Sequence, residues 1–294
     1  MTEIVTLDPP PFPEVIPMSI VMAPGRYQRG DWIHEYEIET FVDEHEFGEI
    51  YDARDKHGNR VQIKLYFAFA QGDAREALQA ELDASSLRHP NILAVLRVGP
   101  DANQFYLVMP FSEHRTLADW LRTRRDFRKQ DAFRILHQLA FALSYLHDHG
   151  IVHCDLSPSV VVVADGTPLV QIGDFARARL DRCPLRPRRY AGASPFAAPE
   201  LSREPVSAAP SLDVFSMAVI VFVVLTGAPP SRRDDTGEWD LRLIEEYVPE
   251  LAPLLALMLS NDPTRRPAAS AVMHWVAPLL TNPSIPPRET QFTK

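Results

Sequence analysis

The sequence predicts an α+β chain of two lobes, a small β-rich lobe followed by a larger, mainly helical one. Short segments rich in β-branched and aromatic residues, some of them alternating in polarity, fill the chain from Tyr36 to Val108. From about Leu117 the apolar residues recur at helical spacing, so we expect the lobes to join near Met109 to Glu113. A chain of 294 residues with 46% hydrophobic residues can bury two such cores.

The first lobe is predicted to contain five strands and one helix. In chain order the strands are YEIETFV, GEIYDA, RVQIKLY, LAVLRVG and QFYLVM. The segment HGN at residues 57–59 supplies the turn between the second and third strands. The helix is REALQAELDASSL, between the third and fourth strands.

Two helical segments of the second lobe are particularly clear. In DAFRILHQLAFALSYLHDHG the apolar residues recur every three or four positions, and Gly150 ends the run. These apolar residues are Phe133, Leu136, Ala140, Leu143 and Leu146. The longest apolar stretch, AVIVFVVL after Met217, is too short to span a bilayer and is interpreted as a buried helix.

Net charge and cysteine content exclude some classes of protein, and proline-rich segments indicate where the folded lobes begin and end. The net charge of −9 argues against a nucleic-acid-binding protein. Two cysteines without metal-ligand spacing and an acidic, proline-broken start predict a cytoplasmic protein without a signal peptide. We expect a proline-rich tail at residues 1–32, lobes at 33–109 and 110–281, and a second tail at 282–294. Proline excludes helix from the first tail, which is a linker or a docking segment.

A series of short motifs follows in a fixed order. They are VQIK (Lys64), RHPNIL (88–93), YLVMPF, HCD (Asp155), GDFA (Asp174), APE (Glu200), DVFS (Asp213), LTGAPP and DPTRRP (Arg266). Each is weak alone, but their order and spacing resemble the protein kinases from about Tyr36 to Leu280. The segment MPF, which is the predicted hinge between the lobes, and the segment HPNILAVLRVG look most like those of the eukaryotic-like Ser/Thr kinases of bacteria. The APE and RP motifs argue against small-molecule phosphotransferases.

The resemblance implies roles for individual residues. Lys64 would bind phosphate, Asp155 would be the catalytic base, and Asp174 would bind a metal ion. Counting back from His89 places the partner of Lys64 on Ala80, so Glu81 requires a one-residue shortening, with Glu76 as the fallback. The nucleotide-contacting positions are Gly48, Ile50, Gln62, Lys64, Pro110, Ser112 and Val162. The structural positions are the pair Glu200 and Arg266, and Asp213 beneath the catalytic loop.

Several positions depart from the pattern of the family. In the glycine-rich lid GxGxxGxV, two of three glycines are replaced, by Asp43 and His45. Glycine allows close backbone approach to phosphate, so these losses weaken the lid. Gln62 replaces the alanine that touches adenine, and it either obstructs the base or swings aside. Three further replacements surround Asp155: Ser157 for lysine, Val160 for the metal-binding asparagine, and Ala193 for threonine.

These departures predict a pseudokinase, a kinase fold used as a regulatory or scaffolding protein-binding module. The alternative is a weak or unconventional Ser/Thr protein kinase, and transfer of another nucleotide-derived group also remains open. ATP and Mg²⁺ are expected to bind weakly or not at all, since valine offers no oxygen to a hard cation. Six arginines lie between Arg177 and Arg189. They form either a solvated loop or a docking surface for an acidic or phosphorylated protein.

Overall fold

The computed structural model describes residues 27–45, 47–66, 73–101, 104–111, 115–123, 129–163, 169–185, 194–202 and 205–280. The chain divides into two compact units. The first comprises residues 1–87 and 94–112, and the second comprises residues 88–93 and 113–294. The predicted combination of a β-rich unit and a mainly helical unit is confirmed.

The first unit is built on a six-stranded antiparallel sheet with the order β1-β2-β3-β4-β6-β5. Its strands are β1 (Trp32–Ile33), β2 (Tyr36–His45), β3 (Gly48–Arg54), β4 (Arg60–Tyr66), β5 (Arg97–Asp101) and β6 (Gln104–Pro110). Among the described residues of this unit, the single helix is α1 (Asp73–Ser85). The HGN turn forms as predicted, because the Asp55 carboxylate accepts the backbone N–H groups of His57 and Asn59.

Successive side chains of β4 point to opposite faces of the sheet, and only one of these faces belongs to the hydrophobic core. Val61, Ile63 and Leu65 join the hydrophobic core, while Gln62 and Lys64 point to the opposite face. Gly48 is required by the sheet itself, because a Cβ at this position would lie 1.8 Å from the carbonyl oxygen of Leu65.

The start of the folded unit lies before the predicted tail boundary at residue 32. The Tyr27 ring packs edge-on against Tyr51 at 6.0 Å, and the Tyr27 N–H donates to the Tyr51 hydroxyl. The Gly30 N–H donates to the Ile38 carbonyl at 2.9 Å. Most of the predicted tails, residues 1–26 and 282–294, fall outside the described residues.

Six α-helices occur among the described residues of the second unit. They are α2 (Leu117–Thr123), α3 (Lys129–Asp148), α4 (Pro210–Thr226), α5 (Arg242–Tyr247), α6 (Ala252–Met258) and α7 (Ala269–Leu280). The five apolar residues predicted to form the face of α3 are all buried. The prediction that AVIVFVVL lies in a buried helix is also confirmed, because α4 is buried from Leu212 to Val224. In the described part of the chain, no helix has the length and apolarity needed to cross a bilayer.

Short strands hold the loops of the second unit. They are β7 (Arg115–Thr116), β8 (Ile151–Val152), β9 (Val161–Val163), β10 (Val170–Ile172), β11 (Arg179–Leu180), β12 (Pro184–Leu185) and β13 (Val206–Ser207). They form the ladders β10-β9-β7, β11-β8 and β12-β13. Residues on both sides of the catalytic loop are therefore fixed by backbone hydrogen bonds.

One predicted strand starts later than expected. LAVLRVG was predicted as a strand throughout, but the ladder begins at Arg97, so the prediction is wrong for residues 93–96. Residues 88–93 instead pack in the second unit, where Ile92 bridges to Ile172 and the Asn91 side chain donates to the Val170 carbonyl at 2.7 Å. These contacts fix residues 91–93 within the second unit, so β5 begins later than predicted.

Candidate active site

Lys64 and Glu81 form a buried ion pair within the first unit. Lys64 Nζ lies 2.6 Å from Glu81 Oε1, and their side chains are only 4% and 5% exposed. The Tyr66 hydroxyl donates to the same carboxylate oxygen at 3.1 Å. The carboxylate therefore holds the lysine in a fixed place on the sheet face opposite the hydrophobic core.

The buried face of α1 explains why Glu81 rather than Glu76 is the partner. Ala77, Glu81 and Ala84 are buried at helical spacing, whereas Glu76 is on the exposed face. Ala80, the residue reached by counting from His89, has no carboxylate to offer. The structure thus pairs Lys64 with Glu81 and not with Glu76.

Gln62 finds a partner across the sheet. Asp52 lies directly opposite it in the β3–β4 ladder, and Gln62 Nε2 lies 3.4 Å from Asp52 Oδ1. Burial raises the pKa of Asp52, while hydrogen bonding from Gln62 and the charge of Arg60 act in the other direction. Gln62 is therefore turned toward a partly desolvated carboxylate.

We expect the substitution Asp52→Asn to stabilise the protein slightly at neutral pH. The folded-state pKa of Asp52 is raised, so ionisation costs stability above that pKa, and the cost is absent below the unfolded-state pKa of about 3.9. Asparagine avoids this cost and can still accept from Gln62. The gain should stay below about 1 kcal/mol, because the ionised form also attracts Arg60 at the partly hydrated surface.

The measurement is the free energy of unfolding of both proteins at pH 7 and at pH 4. The difference between them should shrink as the pH falls through the raised pKa of Asp52. A variant that is less stable than the wild type at pH 7, with a deficit that disappears in acid, would show instead that the ionised Asp52 stabilises the fold.

The predicted glycine-rich lid, residues 43–50, lies where β2 and β3 pair, and the pairing continues up to the undescribed residue 46. Asp43 pairs with Ile50 and His45 with Gly48, while residue 46 lies outside the described part. The Asp43 carboxylate accepts the N–H of the next residue, Glu44, at 2.9 Å. Gly48 is present because of the Leu65 backbone described above. Ile50 lies opposite Lys64 in the ladder.

Next to the lid lies a buried carboxylate that the sequence analysis overlooked. Glu49 is buried, and its Oε2 accepts the Tyr51 hydroxyl at 2.5 Å. Burial, followed by the hydrogen bond to Glu49, raises the pKa of Tyr51 well above its ordinary value. The available signal was the alternation of β3, which places Glu49 on the same face as Tyr51.

The predicted hinge is described only in part. Pro110 ends β6 opposite Val61, and the Arg60 guanidinium lies 3.5 Å from the centre of the Phe111 ring. Ser112, the predicted backbone donor, lies outside the described residues. Val162, predicted to contact the nucleotide, lies in β9, where it pairs with Gln171.

Asp213 supports the catalytic loop from α4 of the second unit. Its carboxylate accepts the backbone N–H groups of His153 at 2.8 Å and of Cys154 at 2.9 Å. His147 Nε2 lies 2.9 Å from the same carboxylate. Cys154 has a φ of +62°, an uncommon value for a residue with a side chain, so this capping holds a strained turn.

Asp155 is paired with a cation that the sequence analysis assigned elsewhere. Arg177 Nε lies 3.2 Å from Asp155 Oδ2, with side chains 24% and 47% exposed. The sequence groups Arg177 with arginines of either a solvated loop or a docking surface, whereas in the structure it contacts the predicted base. The signal in the sequence was its position three residues after Asp174, combined with the missing lysine at Ser157.

Of the two side chains that the family pattern expects to bind metal, only the carboxylate of Asp174 is present, because Val160 replaces the asparagine. Asp174 has a φ of +57° and is exposed, and the next residue, Phe175, is buried with its ring centre 5.3 Å from that of His153. The Val160 side chain offers no oxygen, and the Val160 carbonyl accepts the Gly173 N–H at 2.9 Å. Among the described residues, no three His, Cys, Asp or Glu side chains are grouped to hold a metal.

These groups fit one Mg²⁺ ion bound jointly by Asp174 and a polyphosphate, and they do not fit a second ion. Mg²⁺ commonly binds through one or two carboxylates together with substrate phosphates and water. Such an ion would neutralise phosphate charge at this loop. The second ion would need an oxygen at position 160, where valine has none.

Some of the remaining predicted residues form hydrogen bonds, and the others lie outside the described part of the chain. Arg266 donates to both carboxylate oxygens of Glu200, at 2.6 and 2.8 Å. The Ser194 hydroxyl accepts the Phe196 N–H at 3.3 Å. Ala193 and three of the arginines, Arg186, Arg188 and Arg189, lie outside the described residues.

Comparison with known proteins identifies the class that this fold and these motifs define. A protein kinase domain model matches residues 36–276. The chain therefore belongs to the protein kinase family, whose members in general use ATP and Mg²⁺.

The relatives found among well-characterised proteins carry kinase names. Sperm motility kinase 2B of Mus musculus is 29% identical over 204 residues, covering 67% of this chain and 41% of that protein. NUAK family SNF1-like kinase 2 of Rattus norvegicus is 26% identical over 200 residues, covering 67% and 32%. Serine/threonine-protein kinase PLK4 of Danio rerio is 26% identical over 260 residues, covering 83% and 27%. The chain thus spans less than half of the length of each of these relatives.

Proposed function

We propose that this protein is a pseudokinase, a catalytically impaired kinase domain that acts as a regulatory or scaffolding protein-binding module. The observation that carries the proposal is Val160 at the metal-binding position. Its side chain has no oxygen, and its carbonyl is engaged by the Gly173 N–H. Phosphoryl transfer depends on positioned metals and charge neutralisation, so the loss of one ligand removes much of the rate.

The preserved parts support a structural role. The Lys64–Glu81 pair, the Asp213 cap and the Glu200–Arg266 pair all maintain the fold around the loops. None of them supplies the missing lysine, asparagine or threonine. Losses within one site do not add, yet three losses around Asp155 leave little of the machinery.

The alternative is a weak Ser/Thr protein kinase that uses Lys64, Asp155, Asp174 and one metal ion. The specific observation in its favour is the Arg177 contact with Asp155, which puts a positive charge beside the predicted base. The Ser/Thr assignment follows from the names of the relatives. The resemblance to bacterial kinases and the cytoplasmic location stay predictions.

The purified chain should transfer no phosphate to itself or to a basic protein substrate from ATP with Mg²⁺ or Mn²⁺. The measurement is radiolabel incorporation, with Asp155→Ala as the matched control. Incorporation by the wild type that is lost in this variant would contradict the proposal and support the alternative. Incorporation that persists in the variant would come from a contaminating kinase.

The proposed partner is an acidic or phosphorylated protein that binds the six arginines between Arg177 and Arg189. Arginine forks suit carboxylate and phosphate groups. Of this set, Arg177 contacts Asp155, and Arg179 donates to the Ala178 carbonyl at 2.8 Å. The proposal therefore rests on Arg182, whose side chain is 92% exposed although its Nε lies 3.7 Å from Asp181 Oδ2, and on the arginines outside the described residues.

A further inference from the structure

His89 packs against aromatic side chains of α3. The centre of its ring lies 4.3 Å from that of Phe141 and 5.0 Å from that of Tyr145. These two aromatic residues are four positions apart, so they are neighbours on one face of the helix. His149, which directly follows α3, extends the row, because its ring centre lies 4.2 Å from that of Tyr145. An aromatic surface of the second unit therefore holds the histidine of residues 88–93.

The hydrogen bonds of His89 determine which of its ring nitrogens carries the proton. The Asn91 backbone N–H donates to His89 Nδ1 at 3.1 Å. A backbone N–H can only donate, so Nδ1 is the acceptor and the neutral ring has its proton on Nε2. Nε2 is buried and has no hydrogen-bond partner in the part of the chain that the structure describes. A second proton would therefore have to enter at Nδ1.

Uptake of that proton is incompatible with the observed arrangement. A proton on Nδ1 would face the Asn91 N–H, so a hydrogen bond would become a contact between two donors. The charge would also lie next to two aromatic rings and partly out of water, because His89 is only partly exposed. Burial accordingly lowers the pKa of His89.

The titratable groups around the ring do not offset this cost. On the α3 side they are Tyr145 in the ring contact, His149 beyond it, the exposed Asp148, and His137 two turns before Tyr145. The strand β10 contacts the same segment and carries no ionisable side chain. Arg88, in the segment itself, is exposed and is a cation. Among the described residues, no carboxylate acts against the lowering of the histidine pKa by burial.

We propose that His89 makes the attachment of residues 88–93 to the second unit sensitive to acid, because uptake of a proton releases the segment. The turn that His89 holds also supplies the backbone hydrogen bonds to β10. The Ile172 N–H donates to the Asn91 carbonyl at 2.9 Å, and the Leu93 N–H donates to the Ile172 carbonyl at 2.8 Å. The inference goes beyond the proposed function, since it holds whether or not the protein transfers phosphate.

The pH range of the release follows from the direction of the pKa shift. At a pH well above the released-state pKa of about 6.5, His89 is neutral in both forms and the attachment has its full strength. The attached form has the lower pKa. As the pH falls below about 6.5, the released form takes up the proton first, so the attachment weakens until the pH has passed the lower pKa as well.

The test follows amide hydrogen exchange of the full chain at pH 7.5 and pH 5.5, with each rate divided by the intrinsic exchange rate at that pH. The reporting amides are those of Leu93 and Ile172. His89→Asn is the informative variant, because its side-chain oxygen can accept the same N–H but does not titrate in this range. His149→Asn and His137→Asn are the matched controls, which remove the other two histidines of this region.

In the wild type, protection of the two amides should fall severalfold more between pH 7.5 and pH 5.5 than in His89→Asn. The upper limit is about tenfold, which a released-state pKa of about 6.5 sets for this range. Both control variants should keep the response of the wild type. The NMR titration of His89 should have its midpoint below 6.5, and its nitrogen shifts should place the proton of the neutral ring on Nε2.

Three results would overturn the inference. The first is an equal pH response in the wild type and His89→Asn, and the second is a response that a control variant also loses. The third is a His89 midpoint at or above 6.5, which would show that the aromatic rings favour the cation. If His89→Asn is too unstable to measure, His89→Phe decides, because a lost pH response supports the inference and a retained one overturns it. The radiolabel assay bears only on the proposed function.

Discussion

Replacing Arg266 by leucine is expected to lower the free energy of unfolding by about 3–5 kcal/mol. The Arg266 side chain is 0% exposed, and it donates to both oxygens of Glu200. It also donates to the carbonyls of Ser211 and Ser260, each at 3.0 Å. Leucine fills part of the volume but leaves a sheltered carboxylate and two carbonyls without these donors, which is the costly way to break such a pair.

The neighbouring Arg265 provides the matched control for this prediction. It is exposed at the same turn, so Arg265→Leu should change stability by no more than about 0.5 kcal/mol. Urea unfolding followed by far-UV circular dichroism measures both variants, and hydrogen exchange of the α4 amides reports the second unit by itself. Similar losses in the two variants would mean that the burial of Arg266 does not determine its contribution.

The sequence specified elements whose signals are local. The β3–β4 hairpin follows from alternation and from an Asp-initiated turn around residues 55–59, and α4 follows from an apolar run of helical length. Counting outward from that turn already places Asp52 opposite Gln62. The partner of Gln62 could therefore be read from the sequence, but only with the exact register of the hairpin.

Contacts between segments that are distant in the sequence were harder to predict. The end of the RHPNIL segment leaves the predicted strand because Leu93 donates its N–H to the Ile172 carbonyl, a residue far along the chain. Arg177 looked like one arginine of many in a loop. Its contact with Asp155 depends on a buried Phe175 and on the β8–β11 ladder, neither of which has a strong local pattern. In both cases, hydrogen bonds between segments distant in the sequence determine where the residue lies.

The Lys64–Glu81 pair shows how a helix signal and a strand signal combine. Both residue types were predicted from motif position, but a spacing count alone favoured Ala80. Burial periodicity in α1 selects Glu81, because Ala77, Glu81 and Ala84 share the packed face. Periodicity was therefore a better guide to the partner of Lys64 than the length of the intervening segment.

Replacing Lys64 by methionine is expected to destabilise the first unit by about 3–5 kcal/mol, whereas Lys64→Met combined with Glu81→Leu should recover most of that loss. The single change leaves the Glu81 carboxylate buried beside only the Tyr66 hydroxyl as a described donor. The double change removes both charges and fills the space with apolar groups.

Hydrogen exchange of the β3 and β4 amides measures the first unit by itself, and the two single variants with the double variant complete a mutant cycle. The matched control is Glu76→Leu on the exposed face of α1, which should have little effect on exchange. A double variant that is less stable than Lys64→Met would contradict the prediction, because both variants lack the pair and Glu81 would then stabilise the unit without Lys64.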